Sequence, residues 1–162
     1  MNEKEISLDY VAAVTSQNIV AVIGEKIGKD NKKIAAKDAE NLITKTLGIL
    51  QAQGIYAMYL FLLSRSGDKT NPRNMNAEQR IACEITAQLW NELSQEPTKT
   101  ILKEGFTLRK WDEVNSNKEN ILESIAKLLT QLDTIFLLRD LYEQTLIYAR
   151  FGSKAKAKEG EN

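Results

Sequence analysis

The sequence predicts an all-α protein, a compact bundle of about five to six helices with no sheet core. Apolar residues recur at three- and four-residue steps through most of the chain, and strand-like alternation is scarce. Clusters of Gly, Asp, Asn and Pro separate the periodic stretches. At 162 residues the chain fits one domain able to bury a sizeable core. The expected organisation is a single helical domain over residues 1–152 and a flexible basic and polar tail over 153–162.

In the first segment, Leu8, Val11, Thr15, Ile19, Val22 and Ile23 share one helical face, which Ile27 continues. Gly24 and Gly28 weaken the helix near its end. After a basic, polar stretch over residues 29–37, Ala39, Leu42, Ile43, Leu47 and Leu50 resume an apolar stripe that runs toward Ser64. The run SGDKTNPRNMN, residues 66–76, is a loop. The next helix starts at Asn76, which caps it, with Gln79 reaching back to complete a capping box. Ile81, Ile85, Leu89 and Leu93 give its apolar face, widened by Trp90. From residue 94 to 117 the pattern loosens: Pro97 is suited to open a short helix and Gly105 to close it, and FTLRKWDEV reads equally as extended chain or turn. Ser116 and Glu119 form a second capping box ahead of the last helix. There Ile121, Ile125, Leu128, Leu132, Ile135, Tyr142, Leu146 and Ala149 make an apolar seam, flanked by Leu122, Leu129 and Phe136 and interrupted by Arg139. Gly152 is expected to end it, and SKAKAKEGEN beyond has no apolar residue larger than Ala.

The chain has 22 basic and 22 acidic side chains, so contact with nucleic acid requires a local patch and cannot rest on the overall field. It has no His and one Cys, which removes the His-dependent triads, the usual zinc sites and the paired E-x-x-H di-iron site. Cys83 lies in the helical pattern IACEITAQLW and reads as a small buried hydrophobe. A lone thiol fits a reducing cytoplasm. The acidic start MNEKEISLDY does not have the form of a secretory signal. Two uncharged stretches, residues 10–24 and 46–64, fall short of a membrane span, the second because its continuous apolar run covers only residues 55–63. Of the neighbouring carboxylates, only Glu119 and Glu123 share a helix face, and acids in a first turn serve the helix dipole. GEKIG, residues 24–28, lacks the ending and preceding strand of a phosphate-binding loop. The residues therefore offer no catalytic group, no metal ligand set, no cofactor site and no site for a small-molecule substrate.

Basic residues are the suggestive feature. Lys26, Lys29, Lys33 and Lys37 follow steps of three, four and four, a one-sided ridge if helix persists across Gly28, with Glu25, Asp30 and Asp38 interspersed. The tail places Lys154, Lys156 and Lys158 behind Arg150, a composition that either promotes counterion release or serves solubility. Arg139 in its apolar seam either snorkels outward, pairs with Asp133 or Asp140, or faces a subunit or RNA. Tyr56, Tyr59 and Phe61, embedded in IYAMYLFLL, read as core or subunit contact ahead of base stacking.

Residues 44–65, TKTLGILQAQGIYAMYLFLLSR, carry the most specific signal. Lys45, the apolar pair Ile49 and Leu50, Gly54 with Ile55, the run Leu60-Phe61-Leu62, then Ser64 and Arg65 resemble the central helix of the small helical subunit of type III-B CRISPR effector complexes. The QLWNELS stretch and Leu138-Arg139 in the final helix are similar too, so the resemblance extends over residues 36–151. Gln53, where that family often has Asn, and Gly48, where Pro is expected, depart from it. The resemblance implies a non-catalytic cytoplasmic bundle acting in antiviral defense, with RNA cleavage left to the backbone subunits. It would stack with copies of itself beside the backbone and large subunits of the complex and contact the phosphates of the CRISPR RNA and its target RNA without reading bases. The RNA-facing candidates are then Lys26, Lys29, Lys33, Lys37, Arg65, Arg139, Arg150, Lys154, Lys156 and Lys158. Two other readings stay open: a type III-A small subunit with the same role, and a helical interaction adaptor unrelated to CRISPR.

Overall fold

The computed structural model describes residues 7–27, 32–66, 75–94, 98 and 118–160. Among these it is all-α, with six helices and one minimal ribbon. Helix α1 (Leu8–Ala21) is capped by Ser7, whose hydroxyl oxygen accepts from the Tyr10 backbone N–H at 3.2 Å. It stops earlier than its apolar spacing predicts. Gly24 adopts φ 89°, a conformation that costs glycine least, and its N–H donates to the Ile34 carbonyl at 2.8 Å. Ile34 in turn donates to the Glu25 carbonyl at 3.0 Å. The chain thus reverses in an antiparallel ribbon of β1 (Lys26–Ile27) and β2 (Lys32–Lys33), with the Ile34 side chain buried behind it.

The expected stripe toward Ser64 is two helices, α2 (Ala36–Gln53) and α3 (Ile55–Arg65). Gly54, at φ 95° and ψ −174°, both ends the first and starts the second: its N–H donates to the Leu50 carbonyl and its own carbonyl accepts from Met58. The bend re-aims the apolar run of α3, so that Met58, Tyr59, Leu62 and Leu63 face the core. Helix α4 (Ala77–Ser94) begins with the capping box its sequence predicts. Gln79 N–H donates to Asn76 Oδ1 at 2.8 Å, and Asn76 N–H donates to Gln79 Oε1 at 3.0 Å.

The last helix is also divided, into α5 (Lys118–Leu128) and α6 (Leu132–Gly160). Thr130 terminates α5, its hydroxyl donating to the Lys127 carbonyl three residues back at 2.9 Å in competition with the helical ladder. The break interrupts the seam. Leu132 and Phe136, expected along the core face, are 65% and 58% exposed, while Tyr142, Leu146 and Ala149 are buried as the spacing predicts, together with Leu138, Leu141 and Thr145. Pro97, Gly105, the FTLRKWDEV stretch and Ser116 lie outside the described residues.

Helix α6 is the spine of the bundle, 29 residues and about 43 Å long. Helix α2 runs antiparallel to it, since Gln51 meets Arg139 and Glu143 at one end and Glu40 meets Lys154 at the other. Helix α1 runs parallel to it: Val11 and Ala12 pack on Leu141, and Val20 reaches Gly152. At the centre Trp90 and Tyr59 meet edge-on at 6.5 Å, and Tyr59 and Tyr142 pack at 6.0 Å between ring centroids. The two phenols are 2.6 Å apart, and Tyr142 donates to the Leu89 carbonyl at 3.1 Å.

Gly152 does not end α6, and residues 153–160 continue the helix where a flexible tail is expected. Ser153 is buried, its hydroxyl donating to the Ala149 carbonyl at 2.8 Å. Gly152 instead lets α1 approach: a Cβ there would lie 2.9 Å from Val20 Cγ2. Val20 is β-branched and stiff, so it has little freedom to yield. Gly152→Leu is expected to destabilise the fold by about 1–3 kcal/mol through overpacking. At roughly 2–4 °C per kcal/mol for a chain of this size, a thermal melt followed by circular dichroism reads the effect. An unchanged midpoint would mean that the α1–α6 contact is not tight.

Candidate nucleic-acid interface

Parallel α1 and antiparallel α2 bring the end of α1, the ribbon, the start of α2 and the end of α6 to the same end of the bundle. Lys33 is exposed on β2, and two residues after it the chain enters α2. Lys37, in the first turn of α2, lies 3.6 Å from Glu40 Oε2. Lys154, far along α6, lies 4.0 Å from Glu40 Oε1. The Glu40 side chain, only 11% exposed, is therefore straddled by two lysines from segments distant in sequence. Lys158 is exposed one turn beyond Lys154. Arg150, one turn before it, is half-buried, and its Nε has no hydrogen-bond partner. Lys156 is half-buried on another side of the same helix, and Phe151 is exposed near Arg150 and Lys154.

This grouping is not the helical ridge that the lysine spacing predicts. Lys26 and Lys33 are register partners across the ribbon, and Lys37 belongs to a new helix, because the chain reverses between them. Lys29 lies outside the described residues. What joins Lys33 and Lys37 to Lys154 and Lys158 is the antiparallel pairing of α2 with α6. The Lys37–Glu40 pair is visible in the sequence as an i, i+3 spacing, whereas the second partner of Glu40, Lys154, is a tertiary fact.

The two remaining candidates sit elsewhere and have local partners. Arg65 ends α3, pairs with Glu78 at 3.0 Å, and lies over the Phe61 ring at 5.3 Å from its centroid. Arg139 donates through Nη2 to the Gln51 carbonyl at 2.7 Å. That carbonyl is in the last turn of α2, where backbone acceptors are orphaned and the helix dipole favours a cation. Gln51 also donates from its side chain to Glu143 at 3.0 Å. Arg139 therefore interrupts its seam in order to close the end of α2, and its hydrogen-bond acceptor is a backbone carbonyl, not Asp133 or Asp140. Tyr59 is buried as expected, Phe61 is half-buried under Arg65, and Tyr56 is exposed.

The basic end presents Lys37 and Lys154 around Glu40, with Lys33 exposed on β2. The Lys37 side chain is exposed while Glu40 is buried, and because Glu40 has both Lys37 and Lys154 within reach, one lysine can turn to a phosphate oxygen and leave the carboxylate paired with the other. Among the described residues no group of three or more His, Cys, Asp or Glu is placed to hold a metal ion, and Cys83 is buried. No helix among the described residues is long and apolar enough to cross a membrane. Comparison with protein families, with curated proteins and with solved structures gives no match.

Proposed function

We propose that this protein is a non-catalytic small subunit of an RNA-guided, RNA-targeting type III-B CRISPR effector complex, working in the cytoplasm. Its basic end would contact phosphates of the guide and target RNA. The observation that carries this reading is the convergence of Lys33, Lys37 and Lys154 at one end of an all-α bundle. The resemblance over residues 36–151 supplies the assembly: the backbone and large subunits and further copies of this chain as protein partners. Lys158 and the half-buried Arg150 extend the cationic surface, while Arg139 and Arg65 support the fold.

The test has two stages. Tagged protein purified from its native cell should carry backbone subunits and repeat-derived RNA, identified by mass spectrometry and sequencing. Backbone subunits of the type III-A kind would move the protein to that complex, and recovery of neither subunits nor RNA would leave a helical adaptor. In the second stage Lys33→Glu, Lys37→Glu and Lys154→Glu are combined and RNA affinity is followed against salt. Each lost phosphate contact lowers the slope of log affinity on log salt by about 0.7–0.9, so the variant should lose about 2 to 3 in slope. The loss should be equal for RNAs of different sequence. An unchanged slope would move the RNA contact away from this end.

A further inference from the structure

Helix α6 keeps one side open among the described residues. Helix α1 packs on one flank at Leu141 and Gly152, and α2 lies on the other, against Arg139, Glu143 and Lys154. Leu138, Tyr142, Leu146 and Ala149 turn into the core. Away from them, Asp133, Phe136, Asp140, Ile147, Phe151 and Lys158 follow one another at steps of three, four, seven, four and seven, which keeps them on one side of the helix. Phe136 and Phe151 are 58% and 63% exposed, Asp133, Asp140 and Lys158 are exposed, and Ile147 is half-buried.

Charge is segregated along this helix. Residues 132–146 carry Asp133, Asp140 and Glu143, with one base, Arg139, committed to the Gln51 carbonyl. Residues 147–160 carry Arg150, Lys154, Lys156 and Lys158, with one acid, Glu159. The helix dipole accounts for Asp133 and Lys158, since its influence fades within the first and last turns. Asp140 and Lys154 each lie more than one turn inside the helix ends. They are also about 21 Å apart along the axis and cannot reach each other in one chain. Among the described residues no salt bridge reaches Asp133 or Asp140.

A face that is acidic in one half, basic in the other and aromatic in both matches its own reverse. We propose that the outer face of α6 binds the same face of a second copy of this chain, antiparallel, in a symmetric dimer. With the two-fold axis at Ile147, Asp140 and Lys154 are each seven residues away, so Asp140 of either copy meets Lys154 of the other. Phe136 and Lys158, each eleven away, are brought together in the same manner, ring against ammonium. Ile147 and Phe151 fill the centre. A parallel alignment would set like charges against each other, and a two-fold contact closes on itself, so association stops at two copies. Lys154 and Lys158 face the second copy in this dimer, which is therefore a form of the chain free of RNA and stands or falls independently of the RNA contact.

Sedimentation equilibrium of the full chain over a range of concentrations tests the pairing. A monomer–dimer equilibrium without larger species is expected, weakening as salt rises from about 50 to about 500 mM, since exposed ion pairs are screened. Asp140→Lys should weaken dimerisation about tenfold, and Lys154→Asp likewise. An equimolar mixture of these two variants should dimerise about as well as the wild type, because each copy offers the sign the other lacks. Phe151→Ser, at an exposed site and with every charge retained, should also weaken the dimer, and it serves with Asp140→Lys if circular dichroism shows Lys154→Asp to be misfolded. Association that continues past the dimer, an undiminished dimer in Asp140→Lys, or a mixture of folded variants without rescue would each overturn the proposal. A chain monomeric at every concentration would overturn it too, leaving this face to a different protein.

Discussion

Truncating Trp90 to alanine should cost about 3–5 kcal/mol, enough to take much of the stability of a domain of this size. Trp90 is fully buried and is the largest buried side chain among the described residues. It abuts Tyr59, which in turn packs on Tyr142, so three aromatic rings hold α3, α4 and α6 together. Removing the indole leaves a void lined by rings that are themselves fixed. Tyr59 and Tyr142 are locked by their shared hydrogen bond and by the Leu89 carbonyl, so they cannot tilt in without breaking buried polar contacts. Poor collapse places the expected cost toward the upper part of the range. Urea denaturation should show a lower midpoint at an unchanged m-value. A loss below about 1 kcal/mol would contradict the placement of Trp90 at the centre.

The features legible in the sequence are those that local chemistry settles. The Asn76–Gln79 capping box needs four residues and no tertiary partner, and it forms as read. The apolar spacing of Ile81, Ile85, Leu89 and Leu93 likewise identifies the buried face of α4. Periodicity misleads where it is carried across a break in the helix. The chain reverses after Gly24 and α5 stops before Thr130, and with these breaks go the lysine ridge and the burial of Leu132. Gly152 shows a different limit: a helix-ending glycine and one that admits a neighbouring helix look alike until Val20 is placed beside it. Arg139 reads as a misplaced charge because its partner is the Gln51 backbone carbonyl, which no side-chain pattern reveals. The basic candidates on α6 were visible by composition, yet their association with Lys37 through Glu40 depends on the direction of α2 against α6.

Glu92→Gln should make the protein more stable at pH 8 and no more stable at pH 4.5. Glu92 is 1% exposed in α4, and burial pushes its carboxyl up from 4.5, its value in the unfolded chain, to about 8 in the fold. Between those values the unfolded state has lost the proton that the folded state retains, so wild-type stability falls as pH rises and levels off above about 8. At about 1.4 kcal/mol per unit the full span is on the order of 5 kcal/mol, fully present only below the unfolded value. Glutamine keeps the shape and never ionises, so it escapes the decline. It also brings two N–H donors in place of one O–H, and the additional donor lacks an evident acceptor, at a cost of about 1–3 kcal/mol at every pH. The difference between variant and wild type is therefore expected to change sign, from a loss of about 1–3 kcal/mol at pH 4.5 to a gain of about 2–4 kcal/mol at pH 8. Urea titrations at pH 4.5, 6 and 8 measure it, and the other carboxylates cancel because both proteins share them. A pH-independent difference would show that Glu92 is ionised in the folded protein, with the Thr145 hydroxyl, 3.0 Å from Oε1 and 3.1 Å from Oε2, donating to it.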